Sequence, residues 1–212
     1  MYRQHAALGG DFIKQFLADP AGAPDELDYA DGEGYSRRYL KLKLAPLPPN
    51  PESRCLLSVV DRTVEVRAET TLRAEMLRDS LTGLPNRVAF AEVVELAGES
   101  DIGDLEHAVL VVDMLRFSRI NESMGGLAGD ELLITFARRL ILALRAGDVL
   151  ARTGGNEFGI LVALRRGVED ALTAAERIQE VMATPFKISD LEIKVECAIG
   201  VALMHAAQDP EE

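Results

Sequence analysis

The chain has 212 residues, 48% of them hydrophobic and 27% charged, with a formal net charge of −12. That apolar share is enough for a buried core and excludes wholesale disorder, while 5% aromatics and no Trp make the core aliphatic. The acidic balance argues against non-specific nucleic-acid binding, because the phosphates would be repelled, and no apolar run approaches the ~20 residues needed to cross a bilayer.

Met1 to Gly10 lacks a basic stretch followed by an apolar block, so no signal peptide is expected and the cytoplasm is the expected location. Asp11 to Leu17 fits a short helix. From Tyr39 to Leu44, Leu40, Leu42 and Leu44 alternate with Lys41 and Lys43, the period of a half-buried strand. Pro46, Pro48, Pro49 and Pro51 force a turn, and Cys55 to Val60 is the returning strand. Such a hairpin needs further strands to be stable. The two cysteines, Cys55 and Cys197, lie in apolar strand-like segments and are expected as buried thiols rather than a disulfide.

From Asp61 to Arg78 there is no Gly or Pro, and Val64, Ala68, Leu72 and Met76 recur every four residues as one helical stripe. A hairpin running into a charged helix resembles the end of a PAS sensor domain entering its signalling helix; a plain hairpin and connector is the alternative. The expected division is a partial PAS-like segment over 1–60, a connector helix over 61–78 and a further domain over 79–212.

In that last region Ala108 to Val112 reads as a buried strand, and Phe117 to Met124 and Asp130 to Leu144 as helices. Val149 to Arg152 and Phe158 to Leu164 are strands around a Gly-Gly turn, Val168 to Ala183 is an amphipathic helix, and Ile193 to Leu203 a last strand. The order βααββαβ predicts an α/β sandwich with helices on an antiparallel sheet.

Three segments in this region carry the chemistry. Asp79-Ser80-Leu81-Thr82-Gly83-Leu84-Pro85-Asn86-Arg87 resembles the D-x-LTGLxNR opening of GGDEF domains, the nucleotide-cyclase-like domains that make or sense cyclic di-GMP. Asp113 to Asn121, with Gly125 and Gly129-Asp130, resembles that family's D-x-D-x-FKxIND…GHxxGD stretch, and Arg152-Thr153-Gly154-Gly155-Asn156-Glu157-Phe158 its R-x-GGDEF hairpin. Read from the residues alone, Asp113 at a strand end is as much a helix cap as a metal ligand, and the Gly154-Gly155 pair either a plain turn or a place where a ligand approaches the backbone.

The resemblance implies that two protomers each present a GTP whose 3′-hydroxyl attacks the other's α-phosphate, with metal ions offsetting the developing charge. It places Asp113 and the Met114 carbonyl on Mg²⁺, Asn121 and Asp130 on the guanine edge, Gly154 and Gly155 against the nucleotide, and positions 156 and 157 in the catalytic motif. Asn121 on a solvated face and Asp130 opening a helix are the bland alternatives. Arg145-Ala146-Gly147-Asp148 matches the family's R-x-x-D inhibitory site for cyclic di-GMP; Arg145 in a last helical turn with Gly147 as C-cap would equally serve structure.

The chain departs from the pattern where the chemistry is most demanding. Asn156 stands where a metal-binding carboxylate is usual, Leu115 replaces the family's second Asp, Ser118 its Lys and Gly126 its His. An amide is a weak ligand for a hard cation, so Mg²⁺ is expected to be held weakly or not at all. The family also continues with a basic helix and strand, whereas here an acidic stretch, Asp209-Pro210-Glu211-Glu212, follows, so the domain reads as C-terminally incomplete. The expectation is a degenerate GGDEF module that binds GTP or cyclic di-GMP with weak or no cyclase activity, dimerises through the 61–78 helix, and works with a phosphodiesterase domain outside this sequence. An active cyclase and a ligand-free relay remain the alternatives.

Overall fold

The structure, a computed structural model, describes residues 6–48, 54–99, 106–189 and 191–204, and the chain divides into two compact units, Met1–Glu75 and Met76–Glu212. The start at Met1, Pro49 and Pro51 of the expected turn, and the acidic stretch from Asp209 lie outside the described residues.

In the first unit, α1 (Ala6–Ala18) precedes β1 (Glu26–Asp31), β2 (Arg38–Pro46) and β3 (Cys55–Asp61), which form an antiparallel sheet in that order. The alternation of β2 buries Leu42 and Leu44 against Phe12 and Phe16 of α1. Its lysines point the other way onto Glu26 of β1, Lys41 at 2.6 Å and Lys43 at 2.9 Å, and these contacts hold the Glu26 carboxyl down at about 2. β1 alternates Leu27 and Tyr29 with Glu26 and Asp28, but over only four residues and among three acids in six, so its signal in the sequence is weak. α2 (Thr63–Met76) starts where Asp61 Oδ1 accepts the Thr63 N–H at 2.9 Å. Its stripe faces outward: Val64, Leu72 and Met76 are 82%, 59% and 77% exposed.

The second unit is a four-stranded antiparallel sheet, ordered β5-β6-β4-β9, with helices on both faces. Its elements are α3 (Arg87–Glu99), β4 (Glu106–Met114), α4 (Phe117–Met124), α5 (Gly126–Ala143), β5 (Val149–Arg152), β6 (Glu157–Leu164), α6 (Val168–Ala183), β7 (Phe186–Ile188), β8 (Leu191–Ile193) and β9 (Cys197–Met204). On one face, Ala108, Leu110, Val112 and Met114 of β4 and Phe158, Ile160, Val162 and Leu164 of β6 pack against Leu132, Phe136 and Leu140 of α5 and Ile178 of α6. Phe136 stacks between Phe158 (5.3 Å) and Phe186 (5.9 Å). The other face is covered by α3, whose Phe90 packs on Ala151 and Leu161.

Three expectations are corrected. α5 begins at Gly126 rather than Asp130, because packing of Leu132, Leu133 and Phe136 outweighs the weak helix propensity of the glycines ahead of them. The strand expected over Ile193 to Leu203 is two: β8 pairs with β7 as a small hairpin, and β9 pairs with β4, with residues 194–196 in neither. The cysteines are free but half-buried, and burial pushes the Cys197 thiol up. β9 ends the sheet order, so among the described residues its outer side has no strand partner, and Val201 and Leu203 stay 42% exposed.

Candidate functional site

The apolar run of β4 delivers Asp113 to the end of the central strand, opposite Glu157 of β6 and Ala198 of β9. Between β5 and β6 the chain turns through residues 153–156. The turn is closed by Thr153 and Gly154, whose N–H groups both donate to the Glu157 carbonyl at 3.0 and 3.2 Å. The Glu157 carboxylate accepts the Thr153 hydroxyl at 2.6 Å and so serves the hairpin itself. Neither Gly154 nor Gly155 has a positive φ, so the turn does not use the backbone region that favours glycine. What Gly155 does leave is room, since a Cβ there would meet nothing within 4 Å.

Asn156 faces inward. Its side-chain nitrogen donates to Asp113 Oδ2 at 3.1 Å and to the Met114 carbonyl at 2.9 Å, while its own carbonyl accepts the Met114 N–H at 3.0 Å. A carboxylate and a carbonyl are both acceptors, so only the NH₂ end of the amide can face them favourably. The two oxygens expected to hold a cation are therefore bonded to the two N–H groups of a neighbouring side chain.

Arg152 anchors the hairpin from below. Its guanidinium reaches Asp79 Oδ1 and Oδ2 at 3.1 and 3.2 Å and the Gly155 carbonyl at 2.6 Å, and its N–H donates to the Pro85 carbonyl at 2.9 Å. Asp79 also accepts the N–H and hydroxyl of Thr82 at 2.8 and 2.6 Å. Burial pushes the Asp79 carboxyl up, but the bonds from Thr82 and Arg152 outweigh it and leave it below its ordinary value. Asn86 caps α3, its Oδ1 accepting the N–H groups of Val88 (3.0 Å) and Ala89 (3.1 Å). The sequence shows this segment as a motif without showing that Asp79 and Asn86 are its structural joints.

Asn121 on α4 is half-buried rather than on a solvated face. Its Oδ1 is buried without a partner among the described residues, and it lies so close to Gly129 that a Cβ there would stand 1.7 Å away. Gly129 thus makes the space for Asn121. Asp130 is exposed within α5 and does not open it.

Arg145 and Asp148 form a separate group. The Arg145 N–H donates to Asp148 Oδ2 at 2.9 Å, closing a turn that contains Gly147 at φ 111°. Arg145 is not in a last helical turn, nor is Gly147 a C-cap, because α5 has ended at Ala143. The Arg145 guanidinium pairs at 2.8 Å with Asp170, a buried carboxylate on α6 that sequence reading missed. Arg145, then the backbone and side chain of Arg166, hold the Asp170 carboxyl far below the usual carboxylate range. An acid in the first turn of a helix ordinarily reads as a solvated dipole partner, which is why the sequence hides it.

A magnesium ion would find one carboxylate here, Asp113, with the Met114 carbonyl beside it, and both are engaged by the Asn156 amide. Among the described residues no three or more His, Cys, Asp or Glu side chains converge in a metal-binding group. The donor set as it stands does not fit the family's two-carboxylate site.

Residues 76–212 match the family described as diguanylate cyclase, GGDEF domain. The chain is 36% identical over 159 residues to MucR of Pseudomonas aeruginosa, a bifunctional diguanylate cyclase/cyclic di-GMP phosphodiesterase, covering 70% of this chain and 23% of that protein. It is 36% identical over 155 residues to the cyclic di-GMP phosphodiesterase PdeR of Escherichia coli, covering 70% and 22%. The chain thus spans less than a quarter of the length of these two relatives. Among solved structures, a GGDEF-only fragment of TpbB from Pseudomonas aeruginosa superposes with a TM-score of 0.57 at 38% identity, over 59% of this chain and 74% of that one.

Proposed function

Since the chain belongs to the diguanylate cyclase GGDEF domain family, we propose that it acts in cyclic di-GMP signalling as a regulatory module that holds GTP or cyclic di-GMP and turns over little or no GTP. The observation that carries this reading is the Asn156 amide, whose nitrogen is bonded to Asp113 Oδ2 and the Met114 carbonyl. Family chemistry needs cations at those oxygens to offset charge on the transferring phosphoryl group. Exchanging a carboxylate for an amide removes a formal charge worth several kcal/mol in such a site, hence about two orders of magnitude or more in rate.

Guanine recognition is the part that the residues support. Asn121 would offer an acceptor to the N–H groups of a guanine edge once its Oδ1, now buried against Gly129, turns outward, and Gly155 leaves the hairpin backbone open to a ligand's approach. At Arg145 and Asp148, cyclic di-GMP would draw the Arg145 guanidinium off Asp170. Arg166 also donates to that carboxylate, at 2.9 Å, so releasing Arg145 does not strand a buried charge. Dimerisation through the exposed stripe of α2, a cytoplasmic location, a PAS-like input and a phosphodiesterase partner complete the reading.

The test is direct. Incubated with GTP and Mg²⁺, the protein is expected to bind GTP by calorimetry and yield little or no cyclic di-GMP, whereas Asn156→Asp gains product formation. Ordinary turnover by the unmodified protein would overturn the regulatory reading; absence of binding to both nucleotides would favour a ligand-free relay.

A further inference from the structure

On the far side of α4 lies a cleft of about 350 Å³ that the GGDEF reading does not use. Arg116 and Arg119 line it from α4 and its N-terminus, and Lys194 and Glu196 from the segment between β8 and β9. Leu115, Ile120 and Ile193 make its apolar wall. At 100° per residue, Arg116, Arg119, Ile120 and Ser123 share one face of α4, and Asn121 points roughly 150° away from the centre of that face. None of the lining residues is Asp113, Met114, Asn121, Asp130 or a member of the 154–157 hairpin.

Three cations against one carboxylate stand out in a chain of net charge −12. Among the described residues, no hydrogen bond or ion pair engages the side chains of Arg116, Arg119 or Lys194, in contrast to Arg145, Arg152 and Arg166, which all hold carboxylates. The backbone at the cleft is fixed. Arg116 sits in the left-handed region (φ 60°, ψ 21°), and is held there between the Leu115 N–H bond to the Glu196 carbonyl (2.8 Å) and the Arg119 N–H bond to its own carbonyl (3.1 Å). A non-glycine residue in that region carries a cost that its surroundings must offset, and such residues concentrate at binding sites. Arg116 also provides no side-chain cap to α4, so the first-turn N–H groups add positive potential at the same place.

We infer that this cleft binds the phosphate group of a small phosphorylated ligand, without a metal and independently of the guanine site. Arg116, Arg119 and Lys194 supply the charge that a divalent ion would otherwise bring, and the apolar wall accommodates the body of the ligand. A cleft of this size suits a mononucleotide or a sugar phosphate.

The probe is inorganic pyrophosphate in EDTA, titrated into the full chain and followed by calorimetry and by amide NMR shifts. Saturable binding with shifts at residues 115–123 and 193–196 is expected. Arg119→Gln and Lys194→Gln should each weaken it by about tenfold, and Glu196→Gln should tighten it severalfold, because a like charge is removed. Asn121→Ala should leave it unchanged. No saturable binding, shifts confined to residues 153–157, or affinity indifferent to all three charge variants would overturn the inference. Malonate binding as tightly as pyrophosphate would overturn the phosphate assignment. Shifts confined to residues 153–157 would speak for phosphate at the hairpin instead, and the remaining outcomes leave GTP binding at Asn121 untouched, so the two readings fail separately.

Discussion

Asn156→Asp puts two carboxylates against each other where an amide now bridges Asp113 and Met114. Without a cation, the variant is expected to lose about 1–3 kcal/mol, the cost of breaking such bonds and leaving acceptors facing one another. Mg²⁺ should restore that loss by binding the folded state alone, whereas the unmodified protein should respond little. Urea denaturation in EDTA and in Mg²⁺ measures both. Asp79 and Asp170 make a second residue-scale prediction. Both have folded-state pKa values held below the ordinary value, so their stabilising contribution is present above about pH 4 and is lost as pH falls through the folded-state values. Urea midpoints should therefore decline on acidification below about pH 4. Asp170→Asn should be less stable at pH 7 and flatter in acid. The family motifs were legible as a string of residues, but these bonds were not. Asn156 meets Asp113 through the pairing of β4 with β6, and Arg145, in the turn after α5, meets Asp170 of α6 from 25 residues away, relations that no local spacing encodes.

Elements differ in how openly the sequence declares them. β4, α4 and α6 follow from an apolar run or a clean helical face, and their observed bounds lie close to those expected. α3 is hidden in the sequence because its apolar residues, Phe90, Val93, Val94 and Ala97, follow the Asp79–Arg87 motif without a break. Its role is architectural, and it can be tested at one position. A Cβ on Gly159 of β6 would stand 2.6 to 3.0 Å from three atoms of the Phe90 ring. Gly159→Ala should cost about 1–3 kcal/mol in thermal or urea unfolding through overpacking, and Phe90→Leu on top of it should recover part of the loss. The β7-β8 hairpin is masked for a related reason: Ile193 to Leu203 is apolar enough to read as one strand, yet the segment 194–196 departs from both sheets and buries Val195.

Across the molecule, the two compact units differ in what they leave uncovered. In the first, the stripe of α2 exposes Val64 and Leu72. In the proposed dimer this stripe would pair with its copy on a second chain. Leu72→Glu is therefore expected to shift sedimentation from dimer toward monomer, with helical signal retained near neutral pH; a monomeric parent protein would remove this route. In the second unit, β9 carries the sequence Cys-Ala-Ile-Gly-Val-Ala-Leu-Met, with neither a charge nor a proline to blunt its outer side. Strands of that kind add to one another through backbone pairing. In concentrated solution this seam is the expected origin of slow, salt-insensitive precipitation with a cross-β signature, distinct from rapid and reversible pairing of helices. Val201→Lys would extend the shelf life of the purified protein without altering any residue of the proposed nucleotide site.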